Sequence, residues 1–210
     1  MNLTDMRTIV RRDLHDEDSG NYRWTDDEID RHVAHALHDF SSAIPDEKIA
    51  VKTTTASSRA IDISDITNRV TVEAVEYPVD QFPARFQRFA VWGDVLTLLG
   101  REIPDGSDAY VYYGQIHVLD TSGSTIPANH EDLVAMGAEG YAAIEWASYA
   151  INRVNIGGTT IPEEMLGWGR EKLAQFRTDL HAAGRKNRVR VRSFYRPFRA
   201  AASQTTDDGP

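Results

Sequence analysis

The chain has 210 residues, of which 41% are hydrophobic and 26% charged, which is enough to bury the core of one or two domains. It contains no cysteine, which excludes disulfides and thiolate metal sites and leads us to expect folding in a reducing cytoplasm. The N-terminal residues lack a basic segment followed by an apolar one, and no apolar stretch reaches the length of a membrane span, so we expect neither a signal peptide nor a membrane partner.

Two amphipathic helices are predicted near the N-terminus. Apolar residues at close to helical spacing predict the first over residues 2–15. Thr25 is a good N-cap for the second, and Glu28 three residues later completes a capping box. This helix is predicted to continue to about Ala43, before Pro45. Its buried face should comprise the residues Ile29, Val33, Ala36, Leu37 and Phe40.

Polar residues around this second helix could be taken for a functional site. One group consists of His32, His35 and His38. On a helix these lie about 60° apart in succession, away from the apolar stripe, and we interpret them as a solvated face rather than a metal site. The first-turn acids Asp26, Asp27, Glu28 and Asp30 suggest a carboxylate pair for hydrolysis, but favourable charge at a helix N-terminus explains them.

The loop between the two helices resembles the opening of a calcium-binding loop. The residues that suggest it are Asp16, Asp18 and Asn21. Gly20 is not at the position where such a loop has its glycine, and Asp27 stands where a bidentate glutamate belongs. We therefore predict a polar turn. The chain also contains no phosphate-binding loop and no nucleophile elbow, and we expect neither a cofactor nor an enzymatic activity.

The middle of the chain, 48–128, is rich in residues typical of strands. Strands are predicted at 51–55 and 61–63, joined in a hairpin by Ser57 and Ser58, and at 70–77, 95–99, 110–113 and 116–118. An aromatic cluster is expected from Phe82, Phe86 and Phe89. These features predict a small antiparallel sheet or sandwich inserted between helices.

Two further helices are predicted after Pro127. The first, 133–152, has only Glu139 and Glu145 as charged residues, and glycines lie along its apolar stripe. A helix this apolar should be covered on more than one side, and we expect a second subunit to supply part of the cover. The expected subunit interface contains Tyr141, Trp146 and Tyr149. After Gly157 and Gly158, the last helix should start near Pro162 and end at Gly184.

A strongly basic segment follows the last predicted helix. Seven basic residues and no acid occur in 185–199, within a chain whose net charge is −9. Alternating charged and apolar residues over 188–192 predict an extended strand, and 200–210 should be disordered. Three interpretations are open: docking onto a protein, contact with DNA, or an inert tail. The candidate partner-binding residues are Arg185, Lys186, Arg188, Val189, Arg190, Val191, Arg192, Phe194, Tyr195, Arg196, Phe198 and Arg199.

The predicted fold is therefore α+β, with three parts. A helical bundle of two N-terminal and two C-terminal helices comprises 1–47 and 129–184, the β-rich insertion is 48–128, and the extended basic arm with its disordered tail is 185–210.

The motif that begins at Tyr22, with Trp-Thr-Asp-Asp-Glu-Ile at 24–29, resembles the head–tail connector (adaptor) proteins of tailed bacteriophages. The order of helix pair, β-rich middle, helix pair and C-terminal arm is similar to the longer members of that family. The resemblance implies a virion protein of the phage neck, assembled in the host cytoplasm into a homo-oligomeric ring, commonly a dodecamer. Such a ring docks beneath the portal protein, binds the next tail or stopper component, and lets DNA pass through its lumen.

The acidic body suits such a lumen, because like charge keeps DNA from adhering to the wall. The basic and apolar residues of the arm suit docking onto the portal or a neighbouring subunit. The alternative function, from a different class, is a nucleic-acid-binding module that uses the basic C-terminal arm.

Overall fold

The computed structural model describes residues 1–151 and 161–195, and within them it is a mixed α+β protein with four helices and two small antiparallel sheets. The helices are α1 (Leu3–Asp13), α2 (Asp26–Ala43), α3 (Glu131–Ile151) and α4 (Ile161–Tyr195), with a short 3-10 turn at Ala128–His130 before α3. No helix in this described part is both long and apolar enough to cross a membrane.

Seven strands occupy the chain between α2 and α3 in the described residues. They are β1 (Asp46–Thr53), β2 (Ala60–Asp62), β3 (Arg69–Glu76), β4 (Phe86–Gln87), β5 (Phe89–Trp92), β6 (Val95–Leu98) and β7 (Asp108–Gln115). The first sheet has the order β1-β7-β3-β4 and the second the order β2-β6-β5, with antiparallel pairing throughout. The prediction of small antiparallel β structure in the middle of the chain is therefore confirmed.

The two sheets share one apolar core. The second sheet contributes Leu96 and Leu98, and the first contributes Val75 and Val111, all of them fully or almost fully buried. Alternate residues of a strand point to opposite faces, so each sheet turns one face to this core and the other away from it. We call this arrangement the two-sheet unit.

Several predictions for the middle of the chain are wrong in detail. Ser57 and Ser58 do not join a hairpin, because β1 pairs with β7 whereas β2 pairs with β6 in the other sheet. Residues 116–118 are not a strand, since β7 ends at Gln115. Phe82 belongs to no aromatic cluster, because its side chain is fully exposed. A turn signal is local information, whereas the pairing partners of β1 lie about sixty residues further along the chain.

The helices share a second, larger core. All five residues of the predicted stripe on α2 are buried in it, which confirms that prediction. Trp24, just before α2, is buried too, and its indole Nε1 donates a hydrogen bond to the carbonyl oxygen of Ala142 on α3 (3.3 Å). The chain segment that starts α2 is thereby attached to the third helix.

The helix α4 does not end at Gly184, and 188–192 is not a strand. The backbone remains helical to Tyr195, so the predicted extended arm is wrong for residues 185–195. Gly184 serves a different purpose, because a Cβ there would lie 3.2 Å from the carbonyl oxygen of Ala43. The glycine permits close approach of α4 to the end of α2. The predicted break at Gly157 and Gly158 and the tail 196–210 lie outside the described residues.

The N-cap of α2 gives a first testable prediction. Thr25 Oγ1 accepts a hydrogen bond from the Glu28 amide (3.3 Å), and the Glu28 carboxylate accepts one from the Thr25 amide (2.7 Å). We expect Thr25→Ala to lower the free energy of unfolding by about 1 kcal/mol, because the Glu28 amide loses its acceptor and the Glu28 carboxylate loses the hydroxyl that donates to it. Urea denaturation followed by circular dichroism measures this. Thr178→Ala, on the exposed surface of α4, is the matched control and should change stability by less than about 0.5 kcal/mol.

Candidate interaction surfaces

The acidic residues at the start of α2 bind arginines of α1 as well as capping the helix. The Arg7 guanidinium donates to Asp30 through two nitrogens (2.9 and 2.7 Å) and to Asp26 through the third (2.7 Å). Arg11 is buried and also donates to Asp26 (2.7 Å), which holds the pKa of that carboxyl below its ordinary value. Asp26 and Asp30 therefore hold α1 against α2 through ion pairs with arginine, which is not an arrangement for proton transfer.

The loop that resembles a calcium site is also held by protein groups. Asp16 is buried, and its carboxylate accepts hydrogen bonds from the Arg11 guanidinium (2.6 Å) and from the backbone amides of Arg23 (2.6 Å) and Trp24 (3.3 Å). The loop thus positions Trp24 against α3. Among the described residues, no group of three or more His, Cys, Asp or Glu side chains is placed to hold a metal ion.

The three histidines of α2 do not form the solvated face that the sequence predicts. His35 and His38 are exposed, but His32 is buried and its Nε2 lies 3.0 Å from a carboxylate oxygen of Glu145 on α3. Burial lowers the pKa of His32. The prediction fails here because α3 packs beside α2 and covers one more helix position than the apolar stripe indicates.

A cleft of about 670 Å³ lies where the helices meet the first sheet, and two histidines near it escaped the sequence analysis. Both rings pack on Phe40, with centroid distances of 5.2 Å for His117 and 5.6 Å for His130. His117 Nε2 lies 3.0 Å from the carbonyl oxygen of Ile44, and its Nδ1 lies 3.0 Å from Thr125 Oγ1. His117 thus links the end of α2 to the chain that leaves β7. Isolated histidines in a loop give no sequence signal for this role.

The glycines of α3 allow other helices of the same chain to pack closely against it. A Cβ at Gly137 would lie 2.9 Å from the Cβ of Ala36 on α2 and 3.0 Å from the ring of Phe176 on α4. The helix is therefore covered on more than one side, as the sequence predicts, but by α2 and α4. The expectation that a second subunit supplies a further part of the cover stays a prediction.

The three aromatic residues expected at a subunit interface have different surroundings. Tyr141 donates its hydroxyl to Asp39 (2.5 Å), and the Arg23 guanidinium lies 4.3 Å from the ring centroid of Trp146. Both contacts are within the chain. Tyr149 is 56% exposed. Of the three, Tyr149 presents the largest fraction of its side chain to solvent, and the assignment of all three to an interface stays a prediction.

The basic segment continues α4 beyond the point where that helix contacts α2. Arg185 is exposed, and the backbone from Lys186 to Tyr195 is helical, whereas Arg196, Phe198 and Arg199 lie outside the described residues. The 35 residues of α4 correspond to a rod about 50 Å long. Its C-terminal end, with its arginines, extends past Gly184, the last α4 position for which a contact with α2 is described.

Comparison with known protein families found no matching family model, and comparison with curated proteins found no significant match.

Proposed function

We propose that this protein is a structural adaptor of the neck of a tailed bacteriophage. It assembles into a ring of identical subunits, commonly a dodecamer, that binds beneath the portal, receives the next tail or stopper component and encloses the passage for DNA. The four helices form the bundle that is the body of each subunit, and the two-sheet unit projects from it. The protein acts through this geometry, without catalysis and without a cofactor, in the virion.

The attachment of Trp24 to α3 is the observation that carries this proposal. The motif Trp-Thr-Asp-Asp-Glu-Ile suggests the connector family from sequence, and in the structure its tryptophan joins the N-terminal helices to the C-terminal pair through Ala142. An insertion between two helix pairs is tolerated when the pairs pack on each other directly. The motif thus has a structural role that suits the architecture of a connector subunit.

The C-terminal part of α4 is the portal-binding element in this proposal. It carries Arg185, Lys186, Arg188, Arg190 and Arg192 without an intervening acid, in a chain whose net charge is −9. Arginine pairs well with carboxylates on a partner protein. The same continuous basic helix favours a second candidate function, nucleic-acid binding, since phosphate contacts need the same residues.

The two functions can be distinguished by measuring the mass of complexes with portal and the salt dependence of DNA binding. We expect the protein mixed with the portal protein of the same phage to give a complex with the mass of two stacked rings in light scattering. A variant truncated after Gly184 should lose this complex, whereas one that lacks only 200–210 should keep it. If no complex forms and short duplex DNA binds with an affinity that falls at least a hundredfold between about 50 and 200 mM salt, the nucleic-acid function is correct and the adaptor function is not.

A further inference from the structure

The first sheet has one face against the core of the two-sheet unit and one face turned away from it. On β1, Ala50 packs against the core, so its neighbours Ile49 and Val51 point outward. Each of the two is 59% exposed. Their cross-strand partners on β7, Tyr112 and Tyr110, are half-buried beside them. We call this outward surface the Ile49 face.

The Ile49 face is acidic as well as apolar. Its outward strand positions follow from the pairing of β1, β7, β3 and β4, and the charged residues at those positions are Glu47, Asp108 and Glu76. Asp80 adds a fourth carboxylate at the rim, where it accepts a hydrogen bond from the Tyr110 hydroxyl (3.3 Å). A partner that suits this surface therefore combines an apolar group with positive charge.

The basic residues of the same strands do not neutralise this face. Lysines and an arginine alternate with its outward residues, point to the other side of the sheet and are bound there by acids. These ion pairs are Lys48 with Asp46 (3.2 Å), Lys52 with Asp65 and Arg85 with Glu102 (2.8 Å). Arg88 is exposed just after β4, at the edge of the sheet farthest from β1. In the part of the chain that the structure describes, the strands thus place no cation beside Ile49.

The helix α4 leaves the bundle on the side of the first sheet that carries the Ile49 face. Gly114 is an outward position of β7, and a Cβ on it would lie 2.6 Å from Pro45. The chain that joins α2 to β1 therefore lies on the outer side of the sheet. Ala183 of α4 lines the same cleft as Pro45. From there the helical backbone continues for about 18 Å to Tyr195.

The residues that follow α4 have the composition that the Ile49 face would bind. Residues 196–199 are Arg-Pro-Phe-Arg, which supply two cations and an aromatic ring without an acid. The eight residues of β1 extend about 25 Å from the cleft, a distance comparable to that of the end of α4, and four extended residues add about 13 Å. Because the segment and the face belong to one chain, the effective concentration of one at the other is high.

We propose that residues 196–199 dock on the Ile49 face of the same chain. Phe198 packs on the aliphatic side chains of Ile49 and Val51, and the two arginines pair with the carboxylates of the face. The contact covers two exposed apolar residues and brings positive charge to an acidic surface. It holds the basic end of α4 in one position before the portal is bound, and this last consequence alone rests on the proposed function.

A spin label placed just after the segment tests the docking without altering either side of the contact. The chain contains no cysteine, so Ala200→Cys provides a single site for a nitroxide, which broadens the NMR signals of nearby methyl groups. The methyl signals of Ile49 and Val51 should lose most of their intensity and regain it when the nitroxide is reduced. Val95, 45% exposed on the outer side of the second sheet, is the matched control and should keep its signal. Full intensity at Ile49 and Val51 would overturn the proposal.

Substitutions in the tail show whether the broadening depends on the residues that we assign to the contact. In the nitroxide-labelled protein, Phe198→Ser/Arg199→Ser should restore the methyl signals of Ile49 and Val51. The matched control Asp207→Ser/Asp208→Ser alters the same tail outside the segment and should leave these signals broadened. Signals that stay broadened in the first variant would contradict the docking, because the label would then approach the face without Phe198 and Arg199.

A mixing experiment determines whether the segment docks on its own chain or on a neighbouring copy. Chains that carry the nitroxide but no methyl label are unfolded together with methyl-labelled chains that carry no nitroxide, and the mixture is refolded. The signals of Ile49 and Val51 should then keep most of their intensity. Broadening as strong as in the singly labelled chain would place the segment on a neighbouring copy and overturn the proposal.

The portal protein separates a failure of the docking from a failure of the adaptor function. If the nitroxide broadens the signals of the Ile49 face but no complex with the portal forms, the docking stands and the adaptor function fails. If the complex with the portal forms but the signals of the free protein are never broadened, the adaptor function stands and the docking fails.

Discussion

Replacing Gly169 with leucine is expected to lower the free energy of unfolding by about 3 kcal/mol, because α3 and α4 touch through their backbones at this position. A Cβ at Gly169 would lie 3.0 Å from the Cβ of Ala143 and 3.2 Å from the carbonyl oxygen of Gly140. A Cβ at Gly140 would in turn lie 2.7 Å from Leu173 Cγ. A backbone carbonyl cannot turn aside as a side chain can, so a larger residue must push the helices apart and loosen the packing around Phe176.

The matched control stands two residues away on the same helix. Gly167 has no atom within 4 Å of its Cβ position and is exposed, so Gly167→Leu should raise stability by about 1 kcal/mol through helix propensity alone. Urea denaturation followed by the helical circular dichroism signal compares the two variants. If the two substitutions changed the free energy of unfolding equally, α3 and α4 would not be in close contact at Gly169.

The features that the sequence predicts correctly are local ones. Thr25 and Glu28 are three residues apart, and their capping box can be identified without knowing anything else about the fold. The stripe on α2 likewise depends only on spacing. Gly184 shows the limit, because a glycine that ends a helix and one that lets another backbone approach look the same in sequence. Only the position of Ala43 distinguishes them.

The candidate surfaces were harder to predict, and β1 shows why. Its residues Ile49, Ala50 and Val51 are all apolar, so the pattern does not say which side of the strand is buried. The ordinary expectation is that the larger residues point inward, yet the half-buried Ala50 packs against the core and the two β-branched residues are exposed. The pairing register of β1 with β7 determines which side of the strand is buried, and the paired residues of β7 lie about sixty positions further along the chain. That Ile49 and Val51 form part of the surface can therefore be recognised only once the strand pairing is known.

Replacing Lys172 with methionine is expected to destabilise the protein by about 3 kcal/mol near pH 8 and by much less near pH 5. Glu139 on α3 is only 2% exposed, and one of its carboxylate oxygens lies 2.9 Å from Lys172 Nζ on α4. Burial raises the pKa of Glu139 above its ordinary value, Lys172 opposes that rise, and the nearby Asp13 adds to it. Without Lys172 the buried carboxylate has lost its counter-charge, which is costly in an apolar interior.

The sign of the pH effect follows from the raised pKa. A carboxyl whose pKa is higher in the folded protein than in the unfolded chain contributes its full stability below the unfolded pKa and loses it as the pH rises through the folded pKa. Removing Lys172 raises the folded pKa further, so the loss should deepen between about pH 5 and pH 8.

Urea titrations at the two pH values measure this prediction, and the double variant Lys172→Met/Glu139→Gln is its control. Glutamine has nearly the shape of the protonated carboxyl and does not ionise, so the double variant should be more stable than Lys172→Met at pH 8 and should show little of the pH dependence. Lys172 also lies 5.2 Å from the ring centroid of Trp168. A loss that is equal at both pH values and persists in the double variant would assign the role of Lys172 to that aromatic contact, because only the pair with Glu139 depends on a proton.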